Sequence, residues 1–332
     1  MSSGSIRWLL VAAFLLALPF RSPAPLIYRP GEGWVYEPYG SEGKWRRTRA
    51  KDQLDVAQAA FDKKDYGLAL KAAKRVVHVW PLSDYAPQAQ YLVARAYDAK
   101  GSSEKAFKEY QKLIEKNPRG ANFDQVLKRQ DEIADQFLAG KWFKLWGVIP
   151  FFPSMEKTAE MYEKIVKNGP YSDIGPSVQL KVGTAREKQK NYPLAAKAYE
   201  LAADRYHDRP AVAAEAIFRA GLAYQKQAQK AEYDQNTAGQ SIAAFTDFMT
   251  LYPDESRVGE AQRIIAVLKQ EQAAGNYKIA RFYDKRHKWE GAKIYYNEVV
   301  LTDPNSPFAA ESRERIEQLN KKTQPQKTQE SR

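Results

Sequence analysis

A small residue followed twelve positions later by proline recurs along this chain: Ala69 with Pro81, Ala106 with Pro118, Thr158 with Pro170, Ser241 with Pro253 and Ala292 with Pro304. In a sixth instance Ala195 keeps the register while its proline stands at Pro210. An aromatic sits four residues after most of these small residues, as Tyr110, Tyr162, Tyr199, Phe245 and Tyr296. Upstream, a small residue and an aromatic stand three apart: Ala94 and Tyr97, Ala134 and Phe137, Gly221 and Tyr224, Ala280 and Tyr283. Small residues let two helical backbones approach, aromatics fill the space beside them, and proline stops the second helix because it lacks an N–H. The period therefore predicts helical hairpins, each unable to bury its own apolar face and so stacked on the next.

The chain has 332 residues, 18 glycines, 18 prolines, 28% charged and 44% apolar residues, which is globular composition. A repeat array need not divide at the usual domain length, so one elongated body of about six hairpins is expected. The net charge of +12 is spread widely, with a local excess at Lys44, Arg46, Arg47, Arg49 and Lys51. That cluster reads as a solvated helix start, or as a contact for anionic headgroups or phosphates.

Arg7, the apolar run Trp8 to Phe20 and Ser22-Pro23-Ala24 follow the order of a secretory leader, so residues 1–24 are expected to direct export. Thirteen apolar residues are short for a transmembrane helix. Pro25 would hinder cleavage after Ala24, which leaves an uncleaved, tethered form as an alternative. With no cysteine in the sequence, neither disulfides nor a lipid on an N-terminal cysteine are expected.

Residues 25–49, rich in Pro, Gly and aromatics, are expected to be extended and strapped on the first hairpin or held for a partner. Repeats one to four occupy 50–210, with an insertion at 142–153 that is the most aromatic stretch of the chain. That insertion either plugs the gap between hairpins or forms a contact surface. A polar insertion around Lys230 to Thr237 lengthens the fifth unit and is expected to need no partner. The sixth unit has a long first helix through Tyr283, Pro307 to Leu319 reads as a capping helix, and 321–332 as a disordered tail.

The hairpin pattern resembles the tetratricopeptide repeat, an all-α solenoid. Within it, Tyr277-Lys278-Ile279-Ala280-Arg281-Phe282-Tyr283-Asp284-Lys285-Arg286, followed by Trp289 and Ala292 and preceded by Phe248-Met249-Thr250-Leu251-Tyr252-Pro253, resembles the BamD family over about residues 212–320. Members of that family are periplasmic lipoproteins of the outer-membrane barrel-assembly machine. The resemblance implies a scaffold at the inner face of the outer membrane. It would dock the periplasmic domains of a barrel-assembly outer-membrane protein and unfolded outer-membrane protein segments, with peripheral membrane association and no nucleic acid. The absent cysteine departs from the family. So do Ile294 and Tyr295, which stand where the family often has Asn-Arg.

No catalytic constellation is legible. His78, His207 and His287 lie in different units, and no metal spacing, phosphate loop or nucleophile elbow occurs, so neither an enzyme nor a cofactor is expected. By resemblance to known repeats, the positions three before and one after the small residue of each first helix are expected to face inward, toward a concave binding surface. These include Tyr91 and Arg95, Phe218, and Tyr277 and Arg281. The alternative is that the tyrosines pack between hairpins and the arginines pair with Asp98 or Asp284. Trp146 and Phe151 of the aromatic insertion, and Tyr295, complete the candidate partner-binding residues. A periplasmic repeat adaptor serving cell-envelope or peptidoglycan processes is the second functional class.

Overall fold

The computed structural model describes residues 26–31, 33–36, 45–118, 123–145, 149–230 and 235–323. The expected leader (1–24) and the residues of the expected tail beyond 323 lie outside these; Lys321 and Lys322, assigned above to the tail, belong instead to the last helix. The all-α expectation holds apart from two small two-stranded sheets.

Contacts divide the chain into two units: Met1–Val126 with Lys144–Ile149, and Leu127–Phe143 with Pro150–Arg332. The first contains a β-hairpin, β1 (Leu26–Arg29) and β2 (Gly33–Tyr36), paired antiparallel with Tyr28 opposite Trp34. Gly31 and Gly33 take positive φ, the left-handed conformation that glycine adopts without a Cβ penalty. The Asp84 N–H donates to the Gly31 carbonyl at 2.7 Å, which ties the hairpin tip to the connection between helices. Four helices follow: α1 (Ala50–Asp62), α2 (Tyr66–Val79), α3 (Ala86–Ala99) and α4 (Ser103–Lys116). Their core gathers Ala57, Ala73, Val76, Trp80, Leu92 and Val93.

Helix α5 (Phe123–Leu138) enters the second unit at Leu127. Strands β3 (Phe143–Leu145) and β4 (Ile149–Phe152) pair with each other, so the aromatic insertion is a small sheet and not an irregular loop. There follow α6 (Met155–Asn168), α7 (Gly175–Lys188), α8 (Tyr192–Arg205), α9 (Pro210–Lys230), α10 (Gln235–Leu251), α11 (Val258–Lys285), α12 (Trp289–Thr302) and α13 (Pro307–Thr323).

The periodic residues sit where close packing demands them. Ala69, Ala106, Thr158, Ala195, Ser241 and Ala292 are all fully buried. So are Tyr162, Tyr199 and Phe245, and each ring of this kind contributes about 1.5–3 kcal/mol by leaving water. Where a hydroxyl replaces alanine it is satisfied locally: Thr158 Oγ1 donates to the Ser154 carbonyl and Ser241 Oγ to that of Gly221, both at 2.8 Å.

Two backbone devices repeat. Lys64, Gly101, Gly140, Lys190 and His287 each take positive φ at the end of the helix before them. At each, that residue's N–H bonds the carbonyl three back and the next N–H the carbonyl five back, as in Lys190 to Glu187 and Asn191 to Arg186. This is the Schellman stop, which satisfies the orphan carbonyls of a helix end. Asp65 and Asn191 then cap the next helix by accepting the N–H of Leu68 and Leu194. Between hairpins, two successive three-residue turns recur at Trp80–Ala86, Gly169–Gly175, Tyr206–Val212, Tyr252–Val258 and Asp303–Ala309. His207 holds the place of the missing proline in the third of these. The turn forms without it, and the slipped Pro210 opens the next helix, where no N–H is needed.

The fifth unit corrects an expectation. Its insertion lengthens α9 and α10, and Thr237 and Ala238 are buried, with Ala228, Ala238 and Leu268 forming one cluster against the long α11. A helical extension brings one face of an otherwise polar stretch against its neighbour, so the insertion does have a partner within the chain.

Candidate functional site

The C-terminal end of the second unit combines charged groups with exposed aromatic surface. Tyr277 of α11 is 7% exposed; its ring stacks on Phe308 at 5.0 Å and meets Tyr296 edge-on at 6.0 Å. Burial and a hydrogen bond to Glu311 raise its pKa. One turn on, Arg281 is exposed, with its guanidinium carbon 5.8 Å from the Tyr277 ring centre. The expected stack of Tyr277 on a partner is therefore corrected: the ring is core, and the guanidinium beside it is what faces outward. Asp284 is held by Arg315 of α13, at 2.6 and 2.9 Å in a bidentate fork, so it is Arg315 and not Arg281 that pairs with it. These hydrogen bonds depress the Asp284 carboxyl below its usual range. Tyr296, buried beside that carboxylate, is pushed up to about 12.

Tyr295 is half-buried and lies parallel on Tyr283 at 5.6 Å, with Gly291 packed close to the same ring, where a Cβ would stand 3.1 Å from Tyr283 Cδ1. Phe282, 49% exposed, carries the Arg286 guanidinium 3.8 Å above its ring, and Ile294 is 61% exposed. A cleft of about 530 Å³ opens beside these helices, lined by Arg281, Lys285, Arg315 and Lys322 together with the carboxylates Asp284, Glu311 and Glu314. Such a surface can bind carboxylates through guanidinium and ammonium groups and apolar side chains through its exposed rings.

In the first unit, Tyr91 is half-buried against Tyr110 at 6.1 Å. Exposed Arg95 lies over Phe61 at 4.5 Å and near Tyr91 at 5.7 Å, so its inner face packs within the unit and its outer face is open. Phe218 is corrected as well. It is 4% exposed, edge-on to Phe245 and Phe248, and covered by Arg257 at 4.5 Å, so it is packing and not contact surface. Of the insertion, Trp146 lies outside the described residues, and Phe151 contributes its backbone to β4. Phe143, not singled out from sequence, is the anchor: it is 5% exposed and stacked on Phe137 at 4.2 Å, while Trp142 remains 54% exposed.

Other polar groups escape notice in the sequence because their partners are far apart along the chain. Lys181 reaches Asp131 and Asp135, both at 2.8 Å, and Asp135 also accepts from the buried Tyr162 hydroxyl at 2.6 Å. Glu215 accepts from Arg219 and Arg257 together, which holds its carboxyl in a lowered pKa despite burial. These networks join hairpins. Among the described residues no cluster of His, Asp or Glu could hold a metal, and no helix is long and apolar enough to cross a membrane.

Buried small residues beneath aromatics, repeated Schellman stops and paired helices define a tetratricopeptide-repeat protein, and the repeat's own profile matches residues 88–119. The profile of YfiO, described as outer membrane lipoprotein, matches residues 153–332, more than half of the chain, and the protein belongs to that family. The match begins at the last residue of the aromatic insertion, well before the 212 expected from sequence. No curated protein matches the chain. Similar solved structures include the C-terminal part of a repeat protein of Cytophaga hutchinsonii, with 14% identity over 80% of this chain and 87% of that one and a TM-score of 0.32. Another is MamA from Desulfovibrio magneticus, with 13% identity over 62% and 97% and a TM-score of 0.30. A third is a repeat protein of Thermus thermophilus, with 15% identity over 64% and 99% and a TM-score of 0.28.

Proposed function

We propose that this protein is a non-enzymatic periplasmic scaffold that assists assembly of outer-membrane β-barrel proteins. It does so by docking the periplasmic domains of a barrel-assembly partner and, through its repeats, unfolded client segments. The observation that carries this is the family match over residues 153–332, a span that includes the surface around Arg281. On that surface Arg281 and Tyr295 are assigned to the partner, aided by Phe282 and Ile294. Tyr91 and Arg95 offer a second contact, and Trp146 and Phe151 a third. Peripheral association with the membrane is assigned to the partner and to basic surface.

Depletion in the producing cell tests the proposal. Levels of folded outer-membrane β-barrel proteins should fall several-fold, with unfolded forms accumulating. Unchanged barrel levels with altered peptidoglycan would overturn it in favour of an envelope adaptor.

A further inference from the structure

Away from the C-terminal surface, helix α8 carries a second, mostly apolar stripe that its neighbours cover only in part. Ala195, Ala196, Tyr199, Ala202 and Ala203 are buried against the neighbouring helices. Leu194, Ala198, Leu201 and Arg205, at spacings of four, three and four, form a second stripe that lines a groove of about 420 Å³ with α6 and α7. Val166, Val182 and Ala198 are its buried apolar lining, and Leu194 and Leu201 stand 42% and 44% exposed. The groove is also lined by Lys167, Arg186, Lys197 and Arg205 against a single carboxylate, Glu163, which Arg186 already holds at 2.7 Å. Lys167 and Lys197 are exposed and make no hydrogen bond or ion pair within the described residues.

We infer that this groove binds an acidic amphipathic segment of a partner protein. Its leucine-sized side chains would enter between α6 and α8, and its carboxylates would meet Lys167, Lys197 and Arg205. An apolar lining set with uncompensated cations is complementary to such a segment and rejects a basic or wholly polar one. A recessed lining of this kind suits a ridge of side chains better than a flat lipid surface. The inference concerns a site separate from the Arg281 surface and stands whether or not that surface docks a barrel-assembly partner.

Fluorescence anisotropy of the full chain with a labelled synthetic peptide tests it. The probe carries leucines at helical spacing and glutamates between them; its counterpart carries lysines in place of the glutamates. The wild type should bind the acidic probe in a salt-sensitive manner and the basic one far more weakly. Lys167→Glu with Lys197→Glu should weaken binding about tenfold or more, since two attractions become repulsions. Leu194→Ala with Leu201→Ala should weaken it comparably. Circular dichroism at the assay temperature should show all variants folded, with modest losses in melting temperature, because Lys167 sits in the last turn of α6 and Leu194 and Leu201 are more than half covered. Absence of binding by the wild type, equal binding of both peptides, or equal binding by all variants would overturn the inference. So would charge-reversal effects confined to phosphatidylglycerol vesicles, which would assign these lysines to a membrane.

Discussion

The ring of Tyr199 lies directly on Gly183: a Cβ on Gly183 would come within 2.3 Å of Tyr199 Cε1. Because Tyr199 is fully buried and its hydroxyl donates to Glu187 at 2.8 Å, the ring has nowhere to retreat. Gly183→Ala should therefore cost about 1–3 kcal/mol through overpacking. Combined with Tyr199→Leu the penalties should be less than additive, as a double-mutant cycle in urea will show.

Three of the five Schellman stops place a side chain at positive φ, where an L residue is strained by about 1–2 kcal/mol. Glycine relieves that strain but loses about 0.5–1 kcal/mol of chain entropy. Lys64→Gly and Lys190→Gly should each stabilise by roughly 0.5–1 kcal/mol, and Gly101→Ala should destabilise by a similar amount. Thermal unfolding of the three variants checks both signs.

The insertion separates an anchor from a surface. Phe143→Ala should cost about 3–5 kcal/mol, the usual range for a buried phenylalanine, whereas Trp142→Ala should change stability by less than about 0.5 kcal/mol. Urea midpoints will show whether the two aromatics divide in this way.

The Asp284–Arg315 fork has a pH signature. A carboxyl whose folded pKa is depressed adds stability above its unfolded pKa of about 3.9, and that stability is lost as pH falls through the lower folded value. Asp284→Asn should cost about 1–2 kcal/mol near neutral pH, and the gap from wild type should narrow progressively as pH falls below about 4. Denaturant titrations of both proteins across that range measure the narrowing.

Much of the repeat was legible because its constraints are local in sequence. A buried alanine twelve residues before a turn proline is one helix read end to end, and all six small residues are indeed buried. The candidate surface was less legible, because inward and outward positions depend on neighbouring helices. Tyr277 and Phe218 occupy the groove-facing positions by spacing, yet Phe308 and Arg257 cover them. The β3–β4 sheet was missed because its strands are three and four residues long and interrupted by Pro150. Lys181 with Asp131 and Asp135 was invisible because about fifty residues separate them, and only the fold brings them together.

Docking of a barrel-assembly partner through the α11–α12 surface is the step on which the proposed function rests. Affinity purification from solubilised envelopes tests it directly, with the wild type beside Arg281→Glu and Tyr295→Ala. The wild type should bring down a barrel-assembly outer-membrane protein, and Arg281→Glu should reduce its recovery about tenfold at unchanged melting temperature, with Tyr295→Ala intermediate. Recovery of no barrel-assembly component by the wild type, or equal recovery by all three proteins, would contradict the account.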